Sequence, residues 1–156
     1  MKIRHPLFLG LVAAFAVSLA SVAVSAVAAE TPFKGTLNAV ETSQVVFPIA
    51  FADREGTGNA TYLGKYTEHV VEQINIPTMT STATATFTAA NGDTLFASVV
   101  GQATRTGPTM LSIVEAYTIT GGTGRFADAT GSFTLESTLD QVTGVSSGTF
   151  SGAIDH

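Results

Sequence analysis

The strongest chemical candidates in this sequence are an acid and a phenol on one face of a predicted strand. In segment 110–120, alternate residues form a strongly apolar face that also carries Glu115 and Tyr117. Because side chains alternate between the two sides of a strand, both polar groups should point into the interior with that face. An acid in apolar surroundings has a raised pKa and could move a proton to or from a ligand, with Tyr117 orienting it.

Glu115 also has a purely structural interpretation. A buried carboxylate is costly unless it is paired, and Arg105 and Arg125 lie close to either end of the segment. In this interpretation Glu115 lies at the mouth of a barrel and forms an ion pair with one of these arginines, which stabilises the barrel wall. The sequence favours this pairing over catalysis, and Glu115 remains the one catalytic candidate.

Two further tyrosines are candidates for a ligand site. Tyr62 and Tyr66 fall on one face of a predicted strand with Gly64 between them, and Glu68 and Glu72 continue that face. The rings could line a pocket or merely cover the bare glycine backbone, and the sequence leaves both readings open. The predicted ligand-binding residues are Tyr62, Tyr66, Glu115 and Tyr117.

Two glycine motifs imitate known functional loops. Residues 144–148 spell the G-x-S-x-G of a nucleophile elbow, and residues 122–127 imitate a dinucleotide-binding loop. Both chemistries need a helix directly after the glycines, whereas strand-type residues follow here. We therefore expect both segments to be turns.

The sequence offers little for a metal. After residue 30 it has only His69 and His156 and no cysteine. Glu68 and His69 are adjacent, so on a strand they would point to opposite faces and could not share one cation. A solvated strand explains Glu68, His69 and Glu72 more simply. We expect no metal and no cofactor.

The elements that would position these residues are strands joined by short turns. Thr, Val, Ile, Phe, Ser and Gly dominate after residue 30, and no 3.6-residue apolar pattern indicates a helix. Turns are expected at 91–93 and 121–124, and Gly101 suggests a bulge or a close approach. The predicted strands are 33–41, 57–67 and 67–76 (as one long or two short strands), 82–89, 94–104, 110–120, 125–137 and 149–154. About eight strands predict an all-β, closed antiparallel barrel, because closure removes exposed strand edges.

A family resemblance is carried by two segments. Residues 112–133, SIVEAYTITGGTGRFADATGSF, resemble the strand–glycine turn–aromatic–strand hairpin of the allene oxide cyclase and dirigent barrels. Residues 59–67, NATYLGKYT, are similar to a segment of bacterial exported relatives of that barrel. The resemblance implies an eight-stranded barrel with an interior that can hold an apolar small molecule.

The resemblance does not carry an activity to particular residues. In the plant cyclases a catalytic acid lies on the first strand, and the corresponding region 33–41 offers Asn38 and Glu41. Neither position aligns securely, so no catalytic residue is transferred. Barrels of this kind form dimers or trimers, which implies a homo-oligomer without indicating its interface.

The first residues have the order of a secretory signal peptide. Lys2 and Arg4 precede an uncharged stretch that ends in small residues before Glu30. Cleavage after Ala26, Ala28 or Ala29 would each fit this pattern, and we favour Ala29. We therefore predict a domain of residues 30–156 and a secreted or periplasmic location, with a retained membrane anchor as the alternative. Losing Lys2 and Arg4 leaves five basic against twelve acidic residues, a net charge of −7. That charge argues against nucleic acid or an anionic membrane as a partner, because both require a basic face, and we expect no stable membrane insertion after cleavage.

Three functions fit this sequence. The first is a binding module that holds a small apolar molecule in the barrel lumen. The second is an isomerase or cyclase that uses a lumen carboxylate, and the third is a structural or surface protein with a filled barrel. An open or filled lumen distinguishes the third from the other two.

Overall fold

The computed structural model describes residues 31–156, which form a closed barrel of eight antiparallel strands. Each strand pairs with its neighbour in the chain, and the last pairs with the first. The predicted barrel is confirmed, whereas the predicted signal peptide, residues 1–29, lies outside the described residues. The strands are β1 (Thr31–Val46), β2 (Ile49–Ala60), β3 (Gly64–Asn75), β4 (Thr80–Ala89), β5 (Thr94–Arg105), β6 (Met110–Gly122), β7 (Thr130–Asp140) and β8 (Val145–Asp155).

Period-2 alternation determines which side chains fill the barrel. On β4, Ala85, Phe87 and Ala89 are buried, while the threonines between them lie on the outer face. A strand of this type presents β-branched residues to solvent and small or aromatic residues to the lumen. In the part of the chain described, no helix has the length and apolarity needed to cross a membrane.

Several predicted strand bounds are wrong, and residues 49–56 of β2 were not predicted as strand at all. The proposed strand 57–67 is interrupted, because Tyr62 at φ 66° and Gly64 at φ 65° reverse the chain between β2 and β3. The predicted strand 125–137 corresponds to β7, which begins at Thr130, because Gly124–Phe126 form a single 3₁₀ turn. The register shift on β5 falls between Phe96 and Ala97 instead of at Gly101.

One half of the lumen is filled with aromatic rings. The Phe133 ring lies 5.1 Å from Phe33, 4.9 Å from Phe150 and 4.4 Å from Tyr117, centroid to centroid. Phe126, from the 3₁₀ turn, is fully buried at the same end. Such tilted and stacked aromatic pairs add to the free energy of burial. We call this end, where the β2–β3, β4–β5 and β6–β7 turns lie, the filled half.

The opposite end of the barrel is open. Between the β1–β2, β3–β4, β5–β6 and β7–β8 turns lies a cavity of about 280 Å³, which we call the cup. The lumen is therefore neither fully open nor fully packed. The cup is lined by Glu41, Ser43, Val45, Ala50, Glu72, Ile74, Ile76, Met79, Ser81, Ala103, Arg105, Leu111, Ile113, Leu139 and Gln141.

Candidate functional site

A layer of buried polar side chains separates the filled half from the cup. Its centre is Arg54 on β2, which is 2% exposed. One guanidinium nitrogen, Nη1, donates to both carboxylate oxygens of Glu115 at 3.2 and 3.0 Å. The other, Nη2, donates to the hydroxyl of Tyr117 at 2.6 Å. We call Arg54, Glu68, Glu115 and Tyr117 the polar layer.

Glu68 completes the layer from β3. Its Oε2 lies 3.5 Å from Arg54 Nε, as a loose ion pair in which neither atom has a hydrogen bond among the described residues. The Tyr117 hydroxyl lies 3.3 Å from an oxygen of Glu68 and 3.3 Å from an oxygen of Glu115. Because a phenol has one proton, it donates to only one of these carboxylates at a time.

One guanidinium cannot neutralise two buried carboxylates. Burial raises the pKa of Glu68 to about 7, with Arg54 opposing the shift and Glu115 adding to it. Burial, followed by the charge on Glu68, also raises the pKa of Tyr117, so this phenol stays neutral. Near neutral pH the polar layer therefore either carries a net charge of −1 or binds one additional proton that makes it neutral.

Gly101 makes room for this arrangement. It lies directly across from Glu115 in the β5–β6 register. A Cβ at residue 101 would press against the Ser81 hydroxyl and lie 3.4 Å from Cγ of Glu115. The predicted close approach at Gly101 is confirmed, although the bulge is not there.

Two more carboxyl groups face the cup next to the polar layer. Glu41 and Glu72 are the cup residues of β1 and β3 that lie furthest from the open-end turns. Burial, and then the neighbouring Glu72, raises the pKa of Glu41 to about 7. Burial also raises the pKa of Glu72, against a hydrogen bond from Ser81. The cup thus has mostly apolar walls and an acidic inner end.

The structure brings together two of the four predicted site residues. Glu115 and Tyr117 lie side by side in the polar layer, below the cup rather than on its wall. Tyr66 is buried in the filled half, where its hydroxyl donates to the Thr36 carbonyl at 2.9 Å. Tyr62 is 39% exposed in the β2–β3 turn. The prediction that Tyr62 and Tyr66 share a face is wrong, because the turn separates them.

The expected arginine partners of Glu115 are also wrong. Arg105 lies at the cup, where its Nη1 donates to the Pro108 carbonyl at 2.9 Å. Arg125 lies at the other end, with Nε 3.7 Å from a carboxylate oxygen of Asp93. The actual partner, Arg54, reaches Glu115 from the opposite wall.

Sequence reasoning missed most of the acidic interior. The predicted solvated strand is wrong for Glu68 and Glu72, which are 1% and 6% exposed, and right for His69, which points outward. The available signal was alternation, since Tyr66, Glu68, Val70 and Glu72 occupy every second position. The pattern around Arg54 was misleading, because a bulky apolar residue such as Phe51 normally faces inward and would place Arg54 on the outer face. In the structure Phe51 faces solvent, and Arg54 faces inward together with Ala50 and Ala52.

The glycine motif at 122–127 forms the β6–β7 turn, as predicted, whereas in 144–148 only Gly144 lies in a connection and the next four residues begin β8. Gly144, at φ 71°, ends the β7–β8 connection, and Ser146 enters β8 with its side chain buried. No helix follows either motif among residues 31–156. On the outer face, Asp53, Glu55 and His69 place one ligand atom each within 4.8 Å of the others, and all three are exposed. Exposed acidic groups of this kind are common without a metal.

No family model, curated protein or solved structure matches this chain.

Proposed function

We propose that this protein binds a small, largely apolar molecule in the cup. The observation that supports the proposal is a cavity of about 280 Å³ with mostly aliphatic walls at one end of a rigid barrel. Ligand sites of small molecules are concave, mainly apolar and carry a few polar groups, with volumes from about 300 Å³ upward. The cup fits this description at its lower size limit, so its ligand is small.

The filled half and the polar layer act as the base of this site. Leu95, Phe126 and Ile154 are completely buried, so the far end of the barrel leaves no room for a ligand. The polar layer is held by hydrogen bonds from Arg54 on one wall to Glu115 and Tyr117 on the other. A ligand therefore enters from the open-end turns and stops at Glu41 and Glu72.

An isomerase or cyclase that uses a lumen carboxyl is the second candidate. It is favoured by the position of Glu41 and Glu72, whose raised pKa values suit proton transfer to a molecule in the cup. Glu115 is less suited, because both of its oxygens accept hydrogen bonds from Arg54 and it does not line the cup. A bound molecule that leaves chemically unchanged would exclude this candidate.

We also propose that residues 1–29 direct export, so that the barrel acts in a secreted or periplasmic location. The support is the sequence pattern of charged, apolar and small residues in that order. A compact barrel without cysteine needs no disulfide exchange to fold after transport.

The binding proposal is tested with the neutral fluorescent probe N-phenyl-1-naphthylamine. Its emission should rise on entering the cup of the wild-type protein and should not rise in Ala103→Trp, whose indole would occupy the cavity. The matched control is Thr104→Trp, one residue further on the same strand, where the side chain is on the outer face. Equal emission from both variants would contradict binding in the cup.

Native mass spectrometry of protein purified from its own host provides a second test. A co-purified small molecule, lost in Ala103→Trp, would support the proposal. Its absence from several preparations, together with no response to the fluorescent probe, would favour a structural protein.

A further inference from the structure

We propose that the ligand of the cup is a small amphipathic amine, whose protonated nitrogen docks between Glu41 and Glu72 and whose apolar body lies along the aliphatic walls. This inference rests on the proposed function and specifies the chemical class of the ligand.

The first observation is an imbalance of charge along the lumen. Four carboxyl groups, those of Glu41, Glu68, Glu72 and Glu115, lie in the polar layer or at the inner end of the cup. Arg54 is the one basic side chain that is buried among the described residues. A cation entering the cup would therefore reduce the excess negative charge, whereas an anion would increase it.

The second observation is that Arg54 forms neither a hydrogen bond nor an ion pair with the cup carboxyls. Its Nη1 binds Glu115, its Nη2 binds Tyr117, and its Nε faces Glu68. Within residues 31–156, neither Glu41 nor Glu72 has a basic nitrogen within the 4.0 Å of an ion pair. Glu72 nevertheless is only 6% exposed.

A buried carboxylate that faces a cavity without a counter-ion is a site for a cationic donor. Burial of such a group is costly unless it is paired and hydrogen-bonded. An ammonium group has three donors, so it can donate to a carboxylate oxygen at the inner end of the cup and still have donors for further acceptors. The Ser81 hydroxyl beside Glu72 provides one such acceptor.

The walls determine the rest of the ligand. Ile74, Ile76 and Met79 on one side and Leu111, Ile113 and Leu139 on the other are aliphatic. Groups of this type exclude a second charged group from the middle of the cavity. A volume of about 280 Å³ accommodates an aromatic ring or a short alkyl chain beside the ammonium group.

Arg105 is the feature that could favour the opposite charge. It lines the cup but is exposed and close to the β5–β6 turn, so it lies at the mouth rather than at the inner end. A ligand carboxylate held there would leave Glu41 and Glu72 unpaired. Arg105 at the mouth favours an anionic ligand, whereas Glu41 and Glu72 at the inner end favour a cationic one. Comparing ligands of different charge therefore tests the inference directly.

The experiment compares three compounds of nearly equal shape by isothermal titration calorimetry: 2-phenylethylammonium, 2-phenylethanol and phenylacetate. We expect the amine to bind at least about 10-fold more tightly than the alcohol, because a charge-assisted hydrogen bond in a dry site contributes that much. Phenylacetate should bind most weakly. Equal binding of amine and alcohol, or tightest binding of phenylacetate, would overturn the amine inference while leaving a cup that binds ligands.

Substitutions then locate the ammonium site. Glu72→Gln and Glu41→Gln should each weaken amine binding about 10-fold and change alcohol binding by less than about 2-fold. The control is Glu136→Gln, on the exposed outer face of β7, which should affect neither compound. Unchanged amine binding in both cup variants would contradict the proposed site. If a variant does not fold, the comparison of the three compounds on the wild-type protein still tests the preference for an amine. If no compound binds and N-phenyl-1-naphthylamine also fails to bind, both the function and the ligand class are wrong.

Discussion

Arg54 and Glu115 connect opposite walls of the barrel. Arg54 lies on β2 and Glu115 on β6, so three strands separate them in either direction around the ring. Their contact is nevertheless close, since Nη1 alone donates to both carboxylate oxygens at 3.2 and 3.0 Å. Because this contact crosses the lumen, it ties together strands that share no backbone hydrogen bonds and forms the base of the cup.

Replacing Arg54 should destabilise the barrel strongly. Arg54→Met removes the cation that pairs with Glu68 and Glu115, and leaving buried charges unpaired costs about 3–5 kcal/mol. Denaturant unfolding followed by fluorescence or circular dichroism measures this loss. The control is Arg125→Met, which breaks a partly exposed ion pair with Asp93 at 3.7 Å and should cost less than about 1 kcal/mol. A similar loss in the two variants would contradict the role assigned to the polar layer.

The Tyr117 hydroxyl should contribute separately from its ring. Tyr117→Phe keeps the stacked contact with Phe133 but removes the acceptor for Arg54 Nη2 and the donor to Glu68 or Glu115. Leaving such buried groups without a partner should lower the free energy of unfolding by about 1–3 kcal/mol. Tyr62→Phe, in an exposed turn, should leave it unchanged. If Tyr117→Phe unfolds at the same denaturant concentration as the wild type, the hydroxyl has no structural role.

Stability should fall as the pH rises from 5 to 8. Burial raises the pKa of both Glu41 and Glu68 to about 7, above the ordinary glutamate value of 4.5 that applies in the unfolded chain. An acid whose pKa is raised on folding binds more protons in the folded state than in the unfolded state. Its contribution to the free energy of unfolding is therefore complete below the unfolded-state pKa and is lost as the pH rises through the folded-state pKa. The melting temperature, measured between pH 5 and 8, should therefore decrease toward the higher pH.

Glu41→Gln provides the variant for this pH dependence. The amide does not titrate, so the decrease in melting temperature between pH 5 and 8 should be smaller than in the wild type. Glu136→Gln, on the outer face, should keep the wild-type decrease. A melting temperature that rises with pH in the wild type would show that these acids are not protonated in the folded barrel.

The exported protein should begin at Glu30. Expression of the full chain in a secreting host, followed by N-terminal sequencing, should find Glu30 as the first residue, because small residues at Val27-Ala28-Ala29 fit a signal peptidase site. Lys2→Glu with Arg4→Glu should reduce the amount exported, because the positive start of the leader is lost. A mature protein that still begins with Met1 would favour the retained anchor.

The sequence alone determined the β class, the glycine turn between β4 and β5 and the inward direction of Glu115 and Tyr117. These features are local: alternation along one strand decides which side chains share a face, and glycine at positive φ decides where the chain reverses. Within β6 this reasoning needed no information about any other strand.

Only the tertiary structure decided which groups meet in the lumen. Arg54 and Glu115 are 61 residues apart, and their contact depends on the number of strands and the register with which the ring closes. The turn at Tyr62 likewise separated two tyrosines that a continuous strand would have kept on one face. The cup also depends on the tertiary structure. Aromatic side chains from several strands fill one end of the closed ring, and smaller aliphatic side chains leave the other end open.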